Sequence, residues 1–406
     1  MNEHPEPGLV EPLLSHLNPP RRSFLVLVPS LGRHRFASED CLTYIGSATS
    51  AHPHAEGHSV NRSLRLLTAV AATAAAALAL AGCSGSAAPA ASGSAASDET
   101  ITVYNAQHES LTKEWIDAFT KATGITVQVR NGDDTEMSQQ LIQEGDRSPA
   151  DVFLTENSPA MTAVEKAGLF ASPGDEALKN VPSAYRPSSG KWVGIAARST
   201  VFAYNTAKLT EEQLPKSLMD LADPSWKGRW AASPSGADFQ AIVSALVQLK
   251  GADAAEKWLT AMKTNSVAYK GNSTAMKAVN AGEVDGAVIY HYYWFGDQAQ
   301  TGENSKNVAL HYFKNQDPGA FVSISGGGVL ASSKHQAAAQ KFLAFVTGAE
   351  GQKILQTGTS FEYPVGSGVS ANPKLVPLKD LQAPTIDPAT LNSQQVTDLM
   401  TKAGLL

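Results

Sequence analysis

The chain has 406 residues, of which 43% are hydrophobic and 17% charged, a composition typical of a folded protein with more than one domain. Its 32 Lys and Arg residues stand against 38 Asp and Glu residues, and the formal net charge of −6 argues against a broad basic surface for nucleic acid or an anionic membrane. Both cysteines, Cys41 and Cys83, precede the first globular segment. A metal site in the folded part must therefore use oxygen and nitrogen ligands, which favour hard ions.

The N-terminal region contains an export signal behind an unusual extension. Residues 1–59 show no sustained helical or strand period, and the closely spaced His52, His54 and His58 lack a folded frame that would make them a metal site. Arg62 and Arg65 then precede an apolar, alanine-rich core over residues 66–80, too short for a transmembrane helix. We interpret residues 60–82 as a signal peptide and expect residues 1–59 to come from an over-extended reading frame or to be disordered, with initiation near Val60.

The signal ends in Leu80-Ala81-Gly82-Cys83, which resembles the bacterial lipoprotein cleavage box. The resemblance implies lipid attachment at Cys83 and removal of the residues before it. An ordinary secretory signal with an incidental cysteine is the alternative. Residues 83–99 are rich in Ser, Gly, Ala and Pro and predict a flexible tether. A lipid anchor followed by a soft tether is typical of a module on the outer face of a membrane.

The globular part begins with alternating strand and helix patterns. Strands are predicted at Ile101–Tyr104, Ile125–Val129 and Asp151–Leu154, separated by helical periods, and this β-α-β-α-β order indicates a mostly parallel sheet. His108 and Glu156 each follow the carboxyl end of a strand. Because such ends meet at one edge of a sheet, these two side chains are candidates for a common binding site.

Two stretches in the middle of the chain could bind an anion. Ser235, Gly236 and Ala237 precede an apolar helix, where small residues leave backbone N–H groups open to an anion. Simple N-capping by Ser235 is the alternative. Three glycines, residues 326–328, follow a strand without the Lys-Ser or Lys-Thr of a nucleotide loop, so we expect a hinge or a close backbone contact there.

An aromatic cluster, Tyr290-His291-Tyr292-Tyr293-Trp294, follows a predicted buried strand over residues 285–289. Protonated phenols are poor ligands, but a strongly charged cation stabilises the phenolate and displaces the proton. Consecutive residues of a strand point to opposite faces, so both tyrosines reach one ion only if the strand ends near Tyr292, with a turn at Gly296. An aromatic core strand or a sugar-stacking patch would explain the same residues.

From about Thr100 to its C-terminus the chain resembles the ferric-ion-binding solute-binding proteins of bacterial ABC importers. The resemblance rests on VYNAQHE from Val103, FLTEN from Phe153 and IYHYYW from Ile289, with support from ASPSGADF, NST and the DPGA to SGGGVL stretch. It implies a type II periplasmic-binding-protein fold: two α/β lobes with mixed sheets flanked by helices, joined by crossing strands around a ligand cleft. We place one lobe at residues 100–200 plus 325–375 and the other at 201–324 plus 376–406.

The same resemblance implies the site and its partners. Matched position by position, the iron ligands fall on His108, Glu156, Tyr292 and Tyr293, and the residues that hold a phosphate, carbonate or other anion on the metal fall on Ser235, Gly236, Ala237 and Asn272. Many members have an Asn-Asn pair where this chain has Tyr290-His291, so one anion contact is expected to be lost. His291 is either an additional ligand or a residue of the core. The expected partners are an ABC permease and its ATPase, with Fe3+ or a small ferric chelate as cargo, and the protein is expected to be a monomer.

Other functions compete with this one. The same fold carries polyamines, thiamine or phosphonates, on which Trp294 would stack. A catalytic metal site in a lipoprotein hydrolase is a second alternative, but the sequence has neither an HExxH zinc helix nor a GxSxG nucleophile elbow. A purely structural surface lipoprotein is the third. We therefore expect a binding protein and not an enzyme.

Overall fold

The computed structural model describes residues 99–406, and the extension, the signal peptide, Cys83 and all but the last residue of the tether lie outside that range. The strands are β1 Thr100–Ala106, β2 Thr126–Asn131, β3 Val152–Thr155, β4 Val193–Asn205, β5 Trp230–Ala232, β6 Ser266–Ala268, β7 Gly286–Tyr290, β8 Val308–His311 and β9 Val322–Val329. The helices are α1 Glu109–Thr123, α2 Asp134–Glu144, α3 Ser158–Lys166, α4 Asp175–Asn180, α5 Ala237–Lys250, α6 Ala252–Asn265, α7 Asn272–Ala281, α8 Tyr292–Gln300, α9 Gln336–Thr347, α10 Ala349–Thr357 and α11 Ser393–Lys402.

The first part of the sheet is parallel, as the alternating pattern predicts. Strand β1 pairs in parallel with β2 on one side and with β3 on the other. Helix α1 covers it because its buried Leu111, Trp115 and Phe119 recur at helical spacing and form one apolar face. Gly124 then ends α1 in the left-handed conformation, with φ 75°. The carboxyl ends of β1 and β3 therefore lie side by side.

Strand β4 joins this part of the sheet to the next. It has 13 residues, and all of them except Tyr204 are buried. Residues Val193–Ser199 pair antiparallel with β9, whereas Thr200–Asn205 pair antiparallel with β7 and β8. One continuous strand therefore crosses between the two parts of the sheet.

The second part of the sheet places the tyrosine segment. Strand β5 pairs in parallel with both β6 and β7, so the full order is β2-β1-β3-β9-β4-β7-β5-β6, with β8 on β4. Helices α5 and α6 pack together through buried Phe239 and Trp258, whose rings stack at a centroid distance of 6.2 Å. The architecture is the mixed, helix-flanked α/β sheet that the sequence predicts.

The three consecutive glycines lie in close contact with neighbouring side chains. A Cβ atom at Gly326, Gly327 or Gly328 would overlap a neighbouring side chain, which confirms the close backbone contact expected there.

The C-terminal segment contacts elements on both sides of the crossing strand β4. Thr162 of α3 donates to the carbonyl of Pro388, and Ser244 of α5 accepts from the backbone N–H of Asn392. The lobe borders stay a prediction. In residues 99–406, no helix combines the length and apolarity that crossing a bilayer requires.

Candidate metal centre

The two adjacent tyrosines point to the same place because the strand ends before them. Strand β7 stops at Tyr290 and α8 begins at Tyr292, so the two phenols stand on neighbouring helical positions instead of opposite faces of a strand. Their ring centroids are 4.3 Å apart. The prediction that the strand ends near Tyr292 is confirmed, whereas the predicted turn at Gly296 is wrong, since Gly296 lies inside α8.

His108 and Glu156 meet at the sheet edge, as their positions after β1 and β3 predict. The His108 Nε2 and Glu156 Oε1 atoms are 3.0 Å apart. The His108 ring also lies edge-on to Tyr292, at a centroid distance of 4.8 Å. The histidine, the carboxylate and the tyrosines thus form one continuous cluster, although they come from distant parts of the chain.

Asp238 is the residue of this cluster that the sequence analysis missed. Its Oδ2 atom accepts hydrogen bonds from the hydroxyls of Tyr292 and Tyr293, at 3.1 and 2.9 Å, and from Nδ2 of Asn272 at 2.9 Å. It lies in the first turn of α5 and is buried. An acidic residue in a first helical turn is common, so its pattern carries no special signal. Only its place directly after Ser-Gly-Ala could have drawn attention to it.

A buried arginine balances the carboxylates around the site. Arg198 of β4 is fully buried, its Nη1 atom lies 3.2 Å from Glu156 Oε2 and 3.9 Å from Asp238 Oδ1, and its Nη2 atom contacts Glu362 Oε1. Its guanidinium carbon is 5.4 Å from the ring centroid of Tyr292. Buried carboxylates need such a partner, because an uncompensated charge in the interior is strongly destabilising.

The two charged ligand candidates shift each other's pKa. Burial lowers the pKa of His108, but the carboxylates of Glu156 and Glu362 outweigh it and raise that pKa to about 9. Burial raises the pKa of Glu156, but His108 and Arg198 outweigh it and lower that pKa to about 2. Without metal, His108 is therefore a cation at neutral pH and Glu156 an anion, and the two form an ion pair.

The phenols are neutral in the same state. Burial, followed by the negative charges of Asp238 and Glu156, raises the pKa of both Tyr292 and Tyr293 well above the usual value for tyrosine. Burial and Glu156 also raise the pKa of Asp238. The hydroxyl hydrogens of both tyrosines are donated to the Asp238 carboxylate, so a cation that binds there must displace them.

A cavity of about 420 Å³ reaches the cluster from one side. It is lined by three of the four predicted anion-binding residues, Gly236, Ala237 and Asn272, but not by Ser235. Ser235 is exposed, and the N-cap of α5 is Gly236 without a side-chain cap, so the alternative role of Ser235 as a helix cap is wrong. The same cavity is lined by acidic side chains, namely Glu109, Asp133, Asp134, Glu156 and Asp238.

Tyr290 and His291 belong to the interior of the protein. Both side chains are fully buried, and the Tyr290 hydroxyl lies 3.3 Å from Asn157 Oδ1. The Nδ1 atom of His291 accepts from the backbone N–H of Ser199 at 3.2 Å, and Nε2 donates to the carbonyl of Phe361 at 2.8 Å. Burial lowers the pKa of His291 to about 3. Both ring nitrogens have backbone partners, which favours the structural role over that of a metal ligand.

The distances within each half of the cluster equal the spacing of neighbouring ligands on a six-coordinate ion. First-row metals hold nitrogen and oxygen ligands at about 2.0–2.2 Å, so two ligands at right angles lie about 3 Å apart. The His108–Glu156 distance of 3.0 Å and the 3.1 and 2.9 Å distances from Asp238 to the phenols match that spacing. Among residues 99–406, no three His, Cys, Asp or Glu side chains alone form a metal site. A metal site in this cluster would therefore include the tyrosines.

Comparison with known proteins agrees with this chemistry. The family model described as "Bacterial extracellular solute-binding protein" matches residues 147–389. The Fe(3+)-binding periplasmic protein of Serratia marcescens is 67% identical over 313 residues, covering 77% of this chain and 93% of that protein. The major ferric iron-binding protein of Neisseria meningitidis serogroup B is 39% identical over 311 residues, covering 75% of this chain and 93% of that protein.

Solved structures agree on the fold. Iron-bound HitA from Pseudomonas aeruginosa is 45% identical, with a TM-score of 0.72, and covers 76% of this chain and 100% of that chain. The Trichodesmium protein IdiA (FutA), in complex with iron and citrate ligands, is 26% identical, with a TM-score of 0.65 and the same coverage. The type II periplasmic-binding-protein fold is thus confirmed. The chain belongs to the family of bacterial extracellular solute-binding proteins, and within it to the group of periplasmic ferric-ion-binding proteins.

Proposed function

We propose that this chain is the iron-capturing component of an iron(III) ABC importer, with His108, Glu156, Tyr292 and Tyr293 as ligands of Fe3+. The observation that carries the proposal is their convergence, with Asp238, from separate elements into one cluster whose neighbouring polar atoms are about 3 Å apart. Relatives named for ferric iron support it.

The charges of the cluster suit a trivalent cation. One Fe3+ ion brings three positive charges, and its binding displaces one proton from His108 and one from each phenol. The net charge of the buried site is then unchanged, so the ion enters without leaving an uncompensated charge. A divalent ion displacing the same three protons would leave one negative charge too many. The donor set thus selects for charge as well as for hardness.

We further propose that Asp238 supplies a fifth protein ligand. Its Oδ2 atom already touches both phenol oxygens, and it stands at the first turn of α5, next to the predicted anion-binding residues Gly236 and Ala237. With six positions on the ion, one then remains for phosphate, carbonate, a carboxylate of citrate or water. Asn272 donates to Asp238 and to the Tyr293 hydroxyl, so its amide holds these ligands in place.

The proposed setting follows from the N-terminal sequence. A signal peptide at residues 60–82 and a lipid on Cys83 would place the protein outside the cytoplasmic membrane on a flexible tether. It would act there as a monomer, enclose the ion between two lobes and deliver it to the permease and ATPase of the importer. The fate of Cys83 is checked by mass spectrometry of the protein from its host, in which an unmodified Cys83 would contradict the anchor.

The deciding experiment is a visible absorption titration of the purified, metal-free protein with ferric citrate. Phenolate bound to Fe3+ gives a broad charge-transfer band, so we expect a band that saturates at one iron per chain and is absent with Ga3+. A flat spectrum through saturating iron would contradict the proposal.

An organic ligand is the alternative that such a flat spectrum would favour. The organic-ligand alternative assumes that the ligand stacks on the ring of Trp294. In the structure, however, Trp294 packs against apolar residues near β8 and donates from Nε1 to the carbonyl of Val308 at 2.8 Å. The geometry therefore does not support the organic-ligand reading.

A further inference from the structure

Glu362 has a buried carboxylate oxygen that no hydrogen-bond donor reaches within the part of the chain that the structure describes. The side chain is fully buried, and its Oε1 atom contacts Arg198 Nη2 and lies 3.4 Å from Gln107 Nε2. Among residues 99–406 the Oε2 atom has no hydrogen-bond partner, although it lies 3.9 Å from Nδ1 of His108. An unsatisfied buried carboxylate oxygen is rare and costly. We therefore expect a hydrogen-bond donor to reach this oxygen in a functional state of the protein.

The His108 ring lies between two carboxylates, one facing each nitrogen. Nε2 is 3.0 Å from Glu156, and Nδ1 is 3.9 Å from Glu362. When Nε2 becomes a metal ligand, it has no proton left to donate, and Nδ1–H is the one remaining donor of the ring. Glu362 Oε2 is in place to accept it after a movement of about 1 Å, which would bring the two atoms within hydrogen-bond distance.

We propose that Glu362 is a positioning residue for the iron site, whose Oε2 atom accepts a hydrogen bond from Nδ1–H of His108 while Nε2 binds the ion. This inference rests on the proposed function. A histidine that binds a metal commonly donates its other N–H to a carboxylate, which fixes the tautomer and the ring orientation and increases the basicity of the ligand. Glu362 completes that arrangement.

Backbone hydrogen bonds of its two neighbours, Phe361 and Tyr363, hold Glu362 in position beside His108. The carbonyl of Phe361 accepts from Nε2 of His291, which is itself bonded to the backbone of Ser199. On the other side, Tyr363 and Ala197 exchange two backbone hydrogen bonds of 2.9 and 2.8 Å. Phe361 holds a left-handed φ of 55°, which is strained for a non-glycine residue and persists only where the surroundings impose it.

The test is a double-mutant cycle of iron affinity on the full chain, using Glu362→Gln, His108→Ala and the double variant. In Glu362→Gln the carboxamide oxygen must face Arg198, so the NH2 group faces Nδ1–H and two donors oppose each other. We expect Glu362→Gln to weaken iron binding about 10–100-fold in the presence of His108, the range for losing such a partner. In the His108→Ala background we expect less than about a twofold loss. Equal losses in both backgrounds would overturn the proposal, because Glu362 would then act through Arg198.

A second readout needs no variant. In protein loaded with diamagnetic Ga3+ and labelled with 15N-histidine, we expect the His108 Nδ1 to carry a proton protected from exchange and Nε2 to carry none. A metal-bound Nδ1, or an Nδ1–H that exchanges freely with water, would overturn the proposal even if Glu362→Gln fails to fold. If the wild-type chain binds no iron, the proposed function and this inference both fall. If it binds iron but the cycle is additive, only the inference falls.

Discussion

The two sides of the candidate metal centre differ in charge and in hydrogen bonding. His108 and Glu156 follow strands of the first part of the sheet, are about one-quarter exposed, and form a charged pair. Tyr292, Tyr293 and Asp238 belong to the second part, where Tyr292 and Asp238 are buried and Tyr293 is half-buried, and they form hydrogen bonds between neutral phenols and a carboxylate.

In the proposed iron site, this difference assigns the selectivity to the phenol side. A cation that bound the charged pair would displace a single proton, that of His108. The phenol side requires two protons to leave groups whose pKa is raised well above the usual value for tyrosine. Only a strongly charged cation offsets that loss. Four measurements test this contrast between the two sides.

The first prediction concerns pH. The pKa of His108 is about 9 and those of the phenols are higher still, so all three groups are protonated in the metal-free protein below pH 9. Iron binding should therefore release about three protons, and the intrinsic affinity should fall about 1,000-fold for each pH unit of acidification between pH 8 and 6. The release is measured with a pH-stat, after subtracting the protons of the ferric chelate supplied. Release of one proton or fewer would mean that the phenols do not ionise.

The second prediction concerns variants that lack one of the two phenol groups. Tyr292→Phe and Tyr293→Phe should each weaken iron binding by more than about 100-fold, because the loss of a ligand exceeds the 10–100-fold effect of losing an outer partner. Each variant should also weaken or shift the visible band. The matched control is Tyr269→Phe, which removes a hydroxyl bonded to Glu283 outside the cluster. An unchanged band in both site variants would rule out the tyrosines as ligands.

The third prediction separates Asp238 from an external anion. Asp238→Asn keeps the size of the side chain and removes its charge, so we expect iron binding to weaken about 10–100-fold and to depend more strongly on added phosphate or citrate. The control is Asp133→Asn, since Asp133 lines the same cavity but is exposed. Equal affinities in the two variants would show that Asp238 is not a ligand.

The fourth prediction tests the ion pair between His108 and Glu156 through the stability of the metal-free protein. The raised pKa of His108 stabilises the fold fully below about pH 6.5, and this contribution is lost as pH rises through 9. The lowered pKa of Glu156 contributes above about pH 4.5 and is lost as pH falls through 2. His108→Gln should therefore lower the free energy of unfolding most between about pH 4.5 and 6.5, by about 1–3 kcal/mol. Urea titrations at pH 5.5 and 9.5 measure the difference, and a cost that is larger at pH 9.5 would contradict the ion pair.

Local patterns predicted the parts of the site that lie at the ends of regular elements. His108 and Glu156 follow strands of a recognisable parallel pattern, and such strands bring their carboxyl ends together. The adjacent tyrosines stood out because two phenols in sequence are unusual after a buried strand. Their common direction depended on the end of β7, which the pattern located to within one residue of the observed end at Tyr290.

Arg198, Asp238 and Glu362 could not be found in this way. Arg198 stands in a strand whose pairing changes partners beside it, and nothing local shows that it is buried. Asp238 has the appearance of an ordinary first-turn acid, and Glu362 lies in a short extended segment outside the regular strands. Each acquires its role from charges more than 30 residues away in the sequence, such as Glu156, which is 42 residues from Arg198.

The sequence by itself determined the family, the alternation of strands and helices and four of the polar side chains in the cluster, because these depend on short motifs and on the periods of helix and strand. The tertiary structure alone decided how the charges are balanced, which protons an ion must displace and which carboxylate faces the free nitrogen of His108. Those properties are set by burial and by distances of 3–4 Å between residues remote in the chain. Electrostatic energies change steeply over such distances, and no local pattern encodes them.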